Sequence, residues 1–158
     1  MFNRKLQRSG FTLIEALIAT AIVGILTAIA VPAYNGYIDR TRNSLAISEI
    51  MAIQTEIERY YTREFRYPDS LAALGAALPS GGIDPWGNAY VYLNIANGDP
   101  GVKGDVRKDH ALNPINTNYD LYSMGKDGVT KKQISQKDSL DDIIIARDGA
   151  FVGLAADF

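Results

Sequence analysis

Gly10-Phe11-Thr12-Leu13-Ile14-Glu15-Ala16-Leu17-Ile18-Ala19-Thr20-Ala21-Ile22-Val23-Gly24-Ile25-Leu26-Thr27-Ala28-Ile29-Ala30-Val31-Pro32-Ala33-Tyr34 is the stretch on which the reading of this 158-residue chain turns. No charged side chain occurs from Ala16 to Ile38. The 24 residues from Phe11 to Tyr34 can cross a hydrocarbon core of roughly 30 Å as a helix. Arg4, Lys5 and Arg8 precede them, which predicts a cytoplasmic N-terminus and an exported C-terminal part. Basic residues before an apolar run are also the pattern of a secretory signal peptide. Here, however, no Ala-x-Ala site with a clear mature start closes the run; Ala28, Ala30 and Ala33 blend into a helix that continues.

Glu15 does not suit a plain anchor. An ionised carboxylate inside an apolar span costs a few kcal/mol and normally has a partner. Cleavage between Gly10 and Phe11 supplies one, a new α-amino group with an unperturbed pKa of about 7.7–8.0. It lies one helical turn from Glu15, in the same chain or a neighbouring copy. Pairing between copies neutralises two embedded charges and favours one axial stagger, so it sets registry as much as energy.

Basic residues, then Gly10-Phe11-Thr12-Leu13-Ile14-Glu15, then the apolar run: this order resembles the class III leader and anchor of type IV pilins and type II secretion pseudopilins. The resemblance implies that a prepilin peptidase cuts after Gly10, that Phe11 is N-methylated, and that the apolar helix forms a filament core. Gly24 and Pro32 sit where the core helix of this family is often unwound in filaments. Pro32 cannot donate to residue 28 and Gly24 weakens the helix locally; a merely kinked membrane helix is the other reading of these two residues.

Beyond Pro32 no strong stop appears until Tyr67-Pro68, so a helix from about Phe11 to Thr62 is expected, roughly 75 Å long at 1.5 Å per residue. Ala46, Ile50, Ile53, Ile57 and Tyr60 step by four, three, four and three along one face. Arg40, Arg42, Glu49, Glu56, Glu58 and Arg59 are assigned to the solvated face. Pro68-Asp69-Ser70 offers a break and a cap before a short helix using Leu71, Leu74 and Leu78. Asp84-Pro85-Trp86-Gly87-Asn88 reads as a turn. Strands are expected at 89–95, 119–124, 142–146 and 151–154. A long helix followed by clustered short strands argues an α+β fold, pilin-like, with the helix packed on a small antiparallel sheet. The expected organisation is a cleaved leader at 1–10, an apolar membrane and filament-core helix at 11–34, and a periplasmic domain with the amphipathic half of the helix at 35–158.

Asp84-Pro85-Trp86-Gly87-Asn88-Ala89-Tyr90 and, later, Tyr119-Asp120-Leu121-Tyr122-Ser123-Met124-Gly125-Lys126-Asp127-Gly128 resemble the major pseudopilins of type II secretion. That family usually has Pro at the position of Ala89, and the likeness is weak from 97 to 118, which looks like an insertion. Asp120, Asp127, Asp138, Asp141, Asp142 and Asp148 crowd the last forty residues, a composition that suits an oxygen-ligated cation or a solvated polar loop. The resemblance implies calcium here, held by the Met124 carbonyl and Asp127 and closed by Asp142 or Asp148. The chain departs from the family pattern after Asp127, where Val129–Ser139 replaces the usual glycine-rich stretch.

Composition narrows the function. The chain has no cysteine, which excludes disulfides, thiolate catalysis and thiolate metal sites. An exported domain without disulfides needs another staple, an ion or a neighbouring subunit. Formal net charge is −2, becoming about −5 without the basic leader, so nucleic acid is not expected as a partner. His110 stands alone in a polar segment, and Lys103, Arg107 and Lys108 alternate with Asp99, Asp105 and Asp109 as a solvated loop would. No phosphate loop or nucleophile elbow occurs. The leading expectation is therefore a non-enzymatic subunit that polymerises into a filament of a type II secretion system. Minor pseudopilins, an inner-membrane assembly platform and the prepilin peptidase are its implied partners. A surface type IV pilin for adhesion, motility or DNA uptake shares the architecture, though many of those carry a disulfide. A monomeric, membrane-anchored periplasmic binding domain is the rival that needs neither leader cleavage nor Glu15.

Overall fold

The computed structural model describes residues 11–98 and 100–158; the leader with Gly10, and Asp99, lie outside the described residues. Helix α1 runs Leu13–Glu64, two residues shorter at its start and two longer at its end than its periodicity predicts. It passes without a break through Gly24 and Pro32. The chain divides into a unit Met1–Asp39 and a unit Arg40–Phe158. In the first, every described residue up to position 35 is exposed. α1 is long and apolar enough to cross a membrane.

The second unit is α+β. Strands β1 (Val91–Asn94), β2 (Tyr119–Ser123), β3 (Ile143–Ala146) and β4 (Phe151–Leu154) form one sheet in chain order. All neighbours are antiparallel, with Leu93 opposite Asp120, Tyr122 opposite Ile144, and Ile145 opposite Val152. The four strands fall inside the expected segments. The helix expected around Leu71 is instead two 3₁₀ segments, Leu71–Ala77 and Pro79–Gly82. Gly75, at φ 58°, turns the first of them out of helical backbone.

Alternation along β3 sends Ile143 and Ile145 to one face and Ile144 to the other. The front face packs against Ala46, Ile50, Ile53 and Ile57 of α1, with Tyr67, Tyr90, Tyr119 and Leu121 completing the cluster. On the back face Ile144 and Ala146 meet Ile115, Ile134 and Ala155, with Phe151 and Phe158 against them. The 97–118 segment and the β2–β3 connection thus cover a second face, and β3 is buried along its whole length.

Glu49 corrects the expected polar face of α1: it is buried, accepting from the Tyr90 hydroxyl at 2.6 Å and from the Ser80 hydroxyl. Its helical position borders the Ile50 stripe, and two hydroxyls arriving from distant loops satisfy a carboxylate there. Tyr67-Pro68, just beyond the end of α1, is tied to the sheet: the Tyr92 hydroxyl and the Asn94 amide both donate to the Pro68 carbonyl, at 2.9 and 3.1 Å.

Candidate functional site

The head of α1 is closed by its own side chains. Glu15 Oε2 accepts from the Thr12 backbone N–H at 2.8 Å and from the Thr12 hydroxyl at 2.6 Å, while the Glu15 N–H donates to Thr12 Oγ1 at 3.3 Å. This is a capping box, in which the first and fourth residues of a Thr-x-x-Glu sequence satisfy each other's backbone donors at a helix start. Thr12 is thus a residue that the reading of Glu15 passed over, although its spacing was visible. A Glu15 carboxylate held this way has part of its hydrogen bonding met within one chain. At Gly24 a Cβ would meet nothing within 4 Å, so no packing within the chain demands glycine there.

The two motifs that carry the resemblance in the second unit lie against each other. Asp84 Oδ1 accepts from the N–H groups of Trp86 and Asn88, at 3.0 and 2.8 Å, and forms the turn. Its other oxygen accepts from the Ser123 hydroxyl at 2.5 Å, and the Asn88 amide reaches the Gly125 carbonyl at 3.4 Å. Gly125, at φ +65°, would put a Cβ 2.3 Å from the Asp141 carbonyl oxygen, so only glycine fits. Asp141 Oδ2 then caps the Lys126 and Asp127 N–H groups at 2.8 and 3.1 Å.

Behind this loop lies a buried polar network that the sequence did not reveal. Arg107, read as part of a solvated loop, is only 2% exposed. Its N–H donates to Asp120 Oδ2 at 2.7 Å, its Nη2 to Asp142 Oδ2 at 2.5 Å, and its Nη1 to the Thr130 hydroxyl. The guanidinium lies 4.1 Å from the Tyr122 ring centroid, a cation–π distance. Asn116 bridges Asp120 Oδ1 and the Ile145 carbonyl, both at 2.9 Å. Removal from water pushes the carboxyls of Asp120 and Asp142 above the usual range, and their hydrogen bonds and Arg107 oppose that. Alternating charges concealed Arg107 because its partners stand 13 to 35 residues away.

The residues nominated for calcium separate into different tasks. Asp127 Oδ1 accepts the Val129 N–H at 2.8 Å. Asp142 Oδ2 is taken by Arg107 and by the Thr130 hydroxyl. Asp148 holds the start of β2, accepting the Thr117 N–H and hydroxyl, each at 2.7 Å, and the Asn118 N–H at 3.1 Å. Met124 is half-buried between Ser123 and Gly125. Among the described residues no group of three or more acidic or histidine side chains is placed to hold a metal. Asp142 Oδ1 is buried without a partner, a spare acceptor beside Arg107 and Thr130. The two acids nominated to close the site are engaged elsewhere, Asp142 with Arg107 and Asp148 with Thr117 and Asn118, and that closure does not fit the ion as arranged. His110 is exposed beside the Ser135 hydroxyl.

Residues 5–31 match the family described as the prokaryotic N-terminal methylation motif. Residues 32–96 match that of the type IV minor pilin ComP, DNA uptake sequence receptor. The type II secretion system core protein G of Pseudomonas aeruginosa is 34% identical over 140 residues, 77% of this chain and 86% of the relative. That of Aeromonas hydrophila is 31% identical over 143 residues, 79% and 87%. The type IV major pilin protein PilE1 of Neisseria gonorrhoeae is 40% identical over 91 residues, 58% of this chain and 54% of the pilin. No solved structure matches the chain. With the leader motif, the capped apolar stem and the joined loop motifs all in place, the chain belongs to the family of the type II secretion system core protein G, the major pseudopilins.

Proposed function

We propose that this pseudopilin is made as a precursor in the inner membrane, crossing once with its N-terminus in the cytoplasm and its second unit in the periplasm. A prepilin peptidase cuts after Gly10, Phe11 is N-methylated, and copies leave the bilayer to polymerise into the filament of a type II secretion system. Minor pseudopilins and an inner-membrane platform assemble with it. Its work is structural and not enzymatic.

The stem carries this reading. Phe11, Leu13, Ile14, Leu17, Ile18, Ile22, Val23, Ile25, Leu26, Ile29 and Val31 are each more than half exposed within one chain. Lipid tails cover such a surface before assembly, and the stems of other copies cover it afterwards. A head-to-tail contact that does not close generates a helical filament. Glu15 supplies the polar point that fixes stagger: once Phe11 is terminal, its amine competes with Thr12 for the carboxylate.

Mass spectrometry of the chain purified from membranes tests processing, and a product that begins at methylated Phe11 is expected. Glu15→Ala should leave the monomer inserted while filament yield falls on the order of tenfold or more, as loss of a registry-setting ion pair predicts. A chain retaining its first ten residues, or an undiminished filament yield, sinks the reading. The likeness to the gonococcal pilin favours a surface type IV pilus as second reading. Loss of protein secretion on deleting the gene supports the first, and loss of surface fibres with secretion intact supports the second.

A further inference from the structure

We propose that the Arg107 guanidinium is the resident cation of the β2–β3 connection, and that the folded domain of this chain needs no calcium there. The chain leaves the pattern of the pseudopilins it resembles. It does so twice, by an insertion at 97–118 and by replacement of the glycine-rich stretch with Val129–Ser139. The structure brings these two departures into contact. The insertion delivers Arg107, and the replaced stretch delivers Thr130, whose hydroxyl accepts from Arg107 Nη1 and donates to Asp142 Oδ2 at 2.6 Å. Ser139 closes the same stretch on itself, accepting the Lys131 N–H at 2.8 Å and donating to the Lys131 carbonyl at 3.1 Å.

Arginine is fitted to such a place. Its planar fork stays charged when buried and reaches a carboxylate and a hydroxyl together. Backbone bonds fix it on both sides, its N–H on Asp120 and its carbonyl accepting from Ile115 N–H at 3.0 Å. The side chains of Arg107 and Asp142 are 3% and 0% exposed, so each charge has the other as its close ionic partner. By contrast, Asp127 Oδ1 and Asp141 Oδ2 accept from backbone N–H groups of their own loop.

The full chain purified in detergent provides the test, because Trp86, the one tryptophan, reports unfolding of the second unit. Melts followed by its fluorescence should have the same midpoint in millimolar calcium and in EGTA. A lower midpoint in EGTA, or one calcium per chain after dialysis, overturns the proposal. Arg107→Ala and Asp142→Asn should each lower the midpoint by about 10 °C, since either strands a buried partner. Joining Arg107→Met with Asp142→Leu should recover much of that loss; strictly additive losses also overturn it. Should Arg107→Ala fail to fold, Arg107→Lys is measured instead, expected between the two, and the wild-type comparison stands by itself.

Discussion

The two faces of the sheet are stabilised by different chemistry. On the front, four aliphatic residues of α1 meet Ile143 and Ile145, and polar groups such as Glu49 and Tyr90 sit among them as isolated satisfied pairs. On the back, a smaller apolar cluster around Ile144 adjoins a continuous network of Arg107, Asp142, Thr130, Asp120 and Asn116. Helical and strand periodicity generate the first face, because regular spacing stacks apolar side chains without long-range coincidence. The second requires loops to deliver single residues to one another, and such a face is specified by hydrogen-bond matching more than by area.

Substitution can separate those two designs. The largest effect is expected from removing one isoleucine per face: Ile145→Ala and Ile144→Ala should each cost about 3 kcal/mol in denaturant titration. A loss under about 1 kcal/mol for Ile144→Ala would show the back layer to be a loose cover, and the comparison would break. Next come polar deletions. Asn116→Ala strands Asp120 Oδ1 and the Ile145 carbonyl, at about 2 kcal/mol; Tyr90→Phe, which takes one donor from Glu49, should cost about 1.5 kcal/mol.

The smallest effect is in alkali. Burial first, and the neighbouring carboxylates Glu49 and Glu58 next, push the Tyr90 and Tyr119 phenols far above their ordinary value of 10. A raised native pKa contributes stability that is whole below the unfolded value and falls as pH climbs past it. At pH 10, where an unfolded tyrosine is half ionised, the two together should remove about 1 kcal/mol, increasing thereafter. Absorbance of tyrosinate at rising pH, measured beside the unfolding midpoint, checks the sign; early ionisation without unfolding would contradict the burial of these phenols.

Legibility in the sequence follows the same division. The stripe from Ala46 to Ile57 and the four strands were readable because their information is periodic and local. So was the turn at Asp84, whose Oδ1 accepts from the N–H groups two and four residues on. The Thr12–Glu15 cap was equally local and went unread only because the carboxylate invited a partner from outside the chain. Glu49 was misassigned because its acceptor role depends on Tyr90, 41 residues away. Arg107 and Asp142 were illegible for the same reason, since alternating charge looks identical whether the loop is in water or sealed under a tyrosine ring. Asp148 looked like a ligand and serves as a clasp for Thr117 and Asn118.

The strand order carries a consequence for timing. β3 and β4 are joined by the four residues 147–150, the shortest link in the sheet, whereas the β1–β2 and β2–β3 connections are several times longer. Short loops close fastest, so β3 and β4 are the strand pair that closes most readily once both have been made. The long helix, though earliest made, lacks Ile143 and Ile145 of its apolar cluster until that tail arrives. A polypeptide emerging stem first therefore stays pliable until its last residues follow, and clipping the final hairpin should abolish folding wholesale instead of trimming one edge.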